Sequence, residues 1–240
     1  MDKKLKKLLE FIENQGKKVR KSTSSKSAIS DCDKDIKIVA DMKLNNKITS
    51  YLENNFNYEI LSEEGIHSKS FLNYEKPIWI IDPLDGSLNF NRGIPHYCIS
   101  ISLWNQSESL FGCIFDISNS DMYVSYDNKS TLNNKLISVS NLESPDKSVL
   151  CTGFPSYTNY EFDYLEKFIN RVRNWKKIRA IGSAALSLAW VASGKVDAYI
   201  EENICIWDVA AGLALVKSSG GEIYLKEGSE KNFVKAIATN

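Results

Sequence analysis

Only two histidines, His67 and His96, occur in the 240 residues, too far apart in sequence to define a catalytic or metal site, so both read as structural or surface groups. The five cysteines, Cys32, Cys98, Cys113, Cys151 and Cys205, are odd in number and form no CxxC pair or zinc-type ligand set. Reduced, packed thiols are the expectation. Excess charge is missing too: thirty basic residues balance thirty acidic ones, which leaves no global field to attract a nucleic-acid polymer or an anionic membrane. There is no uncharged apolar run of about 18 residues. The first residues, MDKKLKKLLEFIENQGKKVRK, lack the apolar stretch of a signal peptide, so a cytoplasmic protein is expected.

What the chain does have is apolar content, 43% hydrophobic residues, enough to bury a sizeable core. Leu5, Leu8, Leu9 and Ile12 stand at helical spacing among lysines, which predicts an amphipathic first helix over 2–16 stopped by Gly16. The basic stripe is read as a solvated face rather than a membrane dock. Residues 17–35 are rich in Lys, Ser and Asp and predict a polar, mobile loop suited to a lid. Ile38, Met42, Leu44, Ile48 and Leu52 suggest a second helix over 36–54 with Asp41 near its start.

The run IWIID reads as a strand that the Pro and Gly of PLDGS break, so its acids fall at a strand end. YCISISLW, LFGCIFDIS and MYVSY then predict an antiparallel meander. In the second half VLCTG, VDAYIE and EIYL read as strands, and YEFDYLEKFINRVRNW, GSAALSLAWVASG and IWDVAAGLALVKSSGG as helices. Strands alternating with helices imply stacked layers of an α+β or α/β/α type, with a boundary near residue 145. The five tryptophans are read as core or interface aromatics.

The chemistry-bearing feature is a dispersed set of acids at element edges: Asp41, Glu63, Glu64, Asp82, Asp85 and Asp208. Gathered carboxylates repel one another unless cations neutralise them, and oxygen donors without His or Cys favour Mg²⁺ or Mn²⁺. Within DPLDGS the Pro83 turn lets Asp82 and Asp85 point the same way with the Leu84 carbonyl between them. Gly86 permits close approach, and the amides of Gly86 and Ser87 suit phosphate oxygens, although Asp-Pro turns with solvated acids are frequent. Gly182 and Ser183 fall at a helix start, which serves equally as a plain cap or as an anion or polyol site.

In order along the chain, SEEG, WIIDPLDGSLNF and IWDVAAG resemble the inositol monophosphatase family of Mg²⁺-dependent, lithium-sensitive phosphatases, and the likeness runs from about Asp41 to the C-terminal AIATN. The resemblance implies a single domain over 1–240 with the layered α/β/α/β/α sandwich of the sugar-phosphatases. It implies that Glu63, Asp82, the Leu84 carbonyl, Asp85 and Asp208 are metal ligands, with Asp82 bridging two ions. Asp41 matches the family's water-activating aspartate, and Ser87 stands where its partner threonine hydroxyl would be. Glu64 would orient waters or ligands from behind, with a solvated surface acid an equal alternative. Asp85, Gly86, Ser87, Gly182, Ser183, Ala184, Glu201 and Asp208 would face the substrate, Glu201 bonding a sugar-like ring.

The family's lysine before the catalytic aspartate is replaced by Ser30, with Lys26 and Lys34 nearby, and the loop around 65–76 is short. The expected function is hydrolysis of an inositol monophosphate or similar small phosphate monoester with Mg²⁺, Mn²⁺ being a possible substitute, by a homodimer. Two alternatives stand beside it: a nucleotidase acting on 3′-phosphoadenosine 5′-phosphate, and a non-catalytic ligand-binding or regulatory protein on the same fold.

Overall fold

The computed structural model describes residues 1–21, 28–32, 35–67, 69–142, 144–154, 161–228 and 230–240, with the backbone course alone for 28–32 and 35–38. Helix α1 (Lys3–Lys21) buries Leu5, Leu8, Ile12 and Val19 and leaves its lysines in solvent. It does not stop at Gly16: that glycine lies within the helix, where a Cβ would run into the Phe115 ring. A position that looked like a terminator by propensity is a close helix–sheet contact. Within the polar stretch after it, the described residues 28–32 and 35 are strand. Strands β1 (Ala28–Cys32) and β2 (Asp35–Ile38) pair antiparallel and lead into α2 (Val39–Asn55), so the second helix starts three residues later than expected. Lys26 and Lys34, and the middle of the predicted lid, lie outside the described residues.

The larger sheet has the order β3-β4-β5-β6-β7-β8-β9. Strand β3 (Glu59–Ser62) runs parallel to β4 (Ile78–Asp85). From β4 the chain meanders antiparallel through β5 (Cys98–Asn105), β6 (Glu108–Asp116), β7 (Asp121–Tyr126), β8 (Lys129–Leu132) and β9 (Lys135–Leu136). Every residue of β4 is buried, as its unbroken apolar run requires of a strand covered on both faces. Pro83 does not end it. The strand continues to Asp85 through a shift in register between Asp82, opposite Ser100, and Asp85, opposite Cys98. Proline is tolerated at such an irregularity because no ladder bond is demanded of it there.

The second sheet, β11-β10-β12-β14-β13, is built from β10 (Val149–Cys151), β11 (Lys177–Arg179), β12 (Ala198–Cys205), β13 (Glu222–Glu227) and β14 (Phe233–Thr239). Helices α5 (Ala184–Ala192) and α6 (Ile206–Ser218) lie between the sheets and are apolar nearly all round, as a middle layer must be. Helices α1 and α2 cover the outer face of the larger sheet, and α4 (Phe162–Val172) packs Phe168 and Val172 against Leu150 and Ala198 of the smaller one. A short helix, α3 (Ser87–Arg92), follows β4. The result is a five-layer α/β/α/β/α sandwich.

Small residues set the spacing of the middle layer. A Cβ at Gly212 would overlap Leu188 of α5, and one at Gly112 on β6 would stand 2.9 Å from the Ala211 carbonyl and the Ala214 Cβ of α6. Helix α6 is therefore held between a strand and a helix with no room for growth. Gly212→Val is expected to cost about 1–3 kcal/mol of stability by overpacking. A urea midpoint equal to wild type would refute this account of the layer.

Candidate active site

The ends of β3 and β4 and the start of α6 converge beside the larger sheet. The parallel pairing of Ser62 with Ile81 delivers Glu63 beside the end of β4, where the Glu63 amide donates to the Ile81 carbonyl at 3.1 Å. The register shift in β4 presents Asp82 and Asp85. Asp208 sits in the first turn of α6, directly after β12, where the helix dipole favours a negative group. Asp82 Oδ1 accepts from the Leu84 amide at 2.9 Å, which curls the turn. Gly86 follows at φ +85°, and any Cβ there would lie 2.7 Å from the His96 carbonyl, so both conformation and space call for glycine.

Asp41, buried in the first turn of α2, accepts a hydrogen bond from Ser87 Oγ at 3.2 Å. The same hydroxyl lies 3.0 Å from the Leu84 carbonyl. Residues 46 apart in sequence thus meet over the DPLDGS turn. Asp85 Oδ2 accepts from Ser183 Oγ at 2.6 Å and from the Ala185 amide at 2.8 Å, with Cys98 Sγ at 3.7 Å. Ser183 is the cap of α5, its oxygen also accepting from the Leu186 amide. Its hydroxyl is therefore engaged with Asp85. Glu201, on β12, takes a hydrogen bond from the Tyr199 hydroxyl at 2.7 Å and lies so close to Gly153 that a Cβ there would be 2.7 Å from Oε1. Glu64 is half-buried beside Glu63 in the turn after β3.

The electrostatics report the crowding. Burial, then the charges of Glu63, Asp85 and Asp208, push Asp82 well above the ordinary carboxylate range. Asp208 is driven up in the same way, by burial and then by Glu63, Asp85 and Glu201. Burial raises Asp85 to about 6 against the opposing hydrogen bonds from Ser183 and the α5 amides. Burial likewise raises Glu201 to about 7, opposed by the Tyr199 bond. The leading contributions at Asp82 and Asp208 are desolvation and like charge, an arrangement that a cation would relieve. Among the described residues, no three acidic, histidine or cysteine side chains are grouped so as to hold a metal ion by themselves. An oxygen-only set supplemented by the Leu84 carbonyl suits Mg²⁺, which keeps several waters and takes few protein ligands.

Some contributors had no sequence signal. Asn89 on α3 donates to carbonyls 92 and 93 residues away. His67 closes the Glu63–Glu64 turn by a contact with the Ser62 carbonyl and lies 5.6 Å, ring to ring, from Trp207, the neighbour of Asp208. Burial lowers its pKa. His96 packs edge-on to Trp190.

An acidic cleft at the strand ends of a five-layer sandwich defines a protein of the sugar-phosphatase fold type. The chain belongs to the inositol monophosphatase family, whose model matches residues 3–237. It is 38% identical over 175 residues to the Nus factor SuhB of Xylella fastidiosa, covering 72% of this chain and 62% of that protein. It is 36% identical over 174 residues to a fructose-1,6-bisphosphatase/inositol-1-monophosphatase of Thermotoga maritima, covering 72% and 64%. The matches thus span somewhat less than two thirds of these relatives' length. The solved SuhB structure from Bartonella henselae superposes with a TM-score of 0.85 at 27% identity, covering 100% of this chain and 94% of that one. The Thermotoga maritima IMPase structure gives 0.82 at 29% identity, covering 98% and 91%.

The raised Glu201 makes a pH prediction for the metal-free protein. In the unfolded chain the group ionises near its ordinary 4.5, whereas the folded protein keeps the proton until about 7. Between those values the folded state binds more protons, so its contribution is full below 4.5 and is lost as pH rises through about 7. Glu201→Gln should flatten the fall in melting temperature across this window. An unchanged slope would mean that Glu201 ionises normally.

Proposed function

We propose that the chain is a metal-dependent phosphatase that hydrolyses a small phosphate monoester, an inositol monophosphate or a similar sugar-like phosphate. The observation that carries this reading is the meeting, at one turn, of a mutually repelling acid cluster and a separate Ser87–Asp41 hydrogen bond of 3.2 Å. Family membership supports it. Glu63, Asp82, the Leu84 carbonyl, Asp85 and Asp208 are the groups to hold about two or three Mg²⁺ ions, or Mn²⁺ in their place, which would supply charge neutralisation and a more acidic water.

The protein's own groups do the rest. Donating its proton to Asp41 leaves the Ser87 oxygen lone pairs to accept from a water and aim it. Asp41 is the acceptor toward which that water's proton moves. The water oxygen bonds to phosphorus in line with the ester oxygen, which departs with the bonding pair and takes a proton from a solvent water to become the alcohol, the hydroxide left behind being neutralised by the proton that Asp41 accepted. Gly86, with no side chain, lets the phosphate approach the turn. Gly182, Ser183 and Ala184 flank it from α5, Glu201 faces the substrate's hydroxyls, and Glu64 orients groups beside Glu63.

The chain is also proposed to act as one unit with two sub-domains meeting near residue 145, where strands pass from the larger sheet to the smaller. We place it in the cytoplasm as a homodimer, with no nucleic-acid or membrane partner. No helix among the described residues is long and apolar enough to cross a membrane.

A second reading, a regulatory protein on the same fold, is favoured by the relative named Nus factor. Phosphate release separates the two. Inositol monophosphates, sugar phosphates, fructose 1,6-bisphosphate and 3′-phosphoadenosine 5′-phosphate would be offered with Mg²⁺ and then with chelator. Metal-dependent release from one compound far above the others is expected, and release from none would favour the regulatory reading. Ser87→Ala should lower kcat by roughly 10²–10⁴-fold with little change in KM. A kcat within a factor of about two of wild type would remove Ser87 from the mechanism.

A further inference from the structure

Asn89 is a buried polar residue on the six-residue helix α3, three positions beyond Gly86. Its Nδ2, which carries two hydrogens, stands within hydrogen-bond distance of three carbonyls, Ile181 at 2.7 Å, His96 at 2.8 Å and Gly182 at 3.2 Å, so one N–H is shared between two of them. Two of the three belong to the turn that precedes α5. The turn and the amide are in close contact: Gly182 holds φ +71°, and a Cβ on it would stand 3.0 Å from Asn89 Nδ2. The next residue is Ser183, which with the Ala185 amide grips Asp85 Oδ2 at 2.6 and 2.8 Å.

These contacts close a ring. Starting from Asp85, the chain runs through Gly86 and Ser87 to Asn89, crosses by hydrogen bonds to Ile181 and Gly182, continues to Ser183 and Ala185, and returns by hydrogen bonds to Asp85. The crossing links α3, beside the larger sheet, to α5 in the middle layer. Three carbonyls pointed at one position repel each other unless a donor lies among them, and a buried carbonyl left without one is costly. A primary amide provides two N–H bonds from a single atom. The ring therefore depends on that side chain more than on any other group in it.

We infer that Asn89 is a positioning residue for the metal site: by pinning the 181–182 turn it fixes Ser183 and Ala185, and through them the orientation of the Asp85 carboxylate. This rests on the reading above that Asp85 is a metal ligand. Its loss acts on cation affinity through Ser183, although neither residue need touch the cation. Groups that orient ligands from behind are worth about 10–100-fold in metal affinity.

The test is calorimetric titration of Mn²⁺ into wild type, Asn89→Ala, Ser183→Ala and the double variant, with circular dichroism and thermal melts on each. Asn89→Ala should fold with the wild-type spectrum and bind Mn²⁺ at least about tenfold more weakly. Ser183→Ala should weaken binding likewise, and the double variant should bind within about twofold of the weaker single, because both changes break one ring. Wild-type affinity in folded Asn89→Ala, or losses that multiply in the double variant, would overturn the inference. A merely structural role would lower the melting temperature and leave Mn²⁺ affinity in place, which also overturns it. If Asn89→Ala does not fold, Asn89→Ser, with one donor on a shorter stem, carries the same comparison under the same criteria. Calorimetry reads binding without turnover, so a wild type that binds Mn²⁺ and releases no phosphate would defeat the phosphatase reading and not this coupling.

Discussion

The mutual repulsion of buried carboxylates is the constraint on which the rest of this structure depends. Asp82 and Asp85 from β4 and Asp208 from α6 are drawn into one cleft, with Glu63 from a third segment at its rim, and burial and then like charge raise the pKa values of Asp82 and Asp208. Acids so placed are a liability to folding stability. Most of the local architecture works against that liability. The dipole of α6 faces Asp208, the cap and amides of α5 hold Asp85, and the Leu84 amide holds Asp82. A cation would finish what these partial charges begin.

Around this cleft the sandwich acts as a clamp. Helix α6 carries Asp208 into position only because it can lie close to both α5 and β6, which Gly212 and Gly112 permit. The cost of gathering like charge is met by burial elsewhere: the middle-layer helices are almost wholly apolar, and β4, which ends at the acids, is covered along its whole length. Stability and the site are thus set by the same elements. Substitutions that loosen the middle layer act on both.

Much of this was legible beforehand, for reasons specific to particular residues. IWIID is a dense β-branched run and DPLDGS a strong turn signal, so the strand and its acids were readable as a unit. The six apolar or turn-bounded segments of the second half gave their helices and strands by period and by their glycine stops. The hairpin of β1 and β2 was not read, because its strands are only five and four residues long and Ile38 also fits the helical spacing of Met42, Leu44 and Ile48. Strand β14 was passed over for the opposite reason: FVKAIAT is short and ambiguous until β12 and β13 bracket it.

By itself the sequence determined the inventory of the site: oxygen-donor acids at element ends, a hydroxyl beside a glycine, the order of helices and strands, and the family to which those motifs belong. Such features are local, written within a few residues by period, turn chemistry and side-chain type. Which groups are neighbours was decided only by tertiary structure. The pairing of Ser87 with Asp41, the grip of Ser183 on Asp85 and the bonds of Asn89 to Ile181 and Gly182 join residues from 46 to 98 positions apart. Hydrogen bonds of a few ångströms leave no trace in a linear pattern. They exist only because two sheets and a middle layer of small-residue helices bring distant turns to one place.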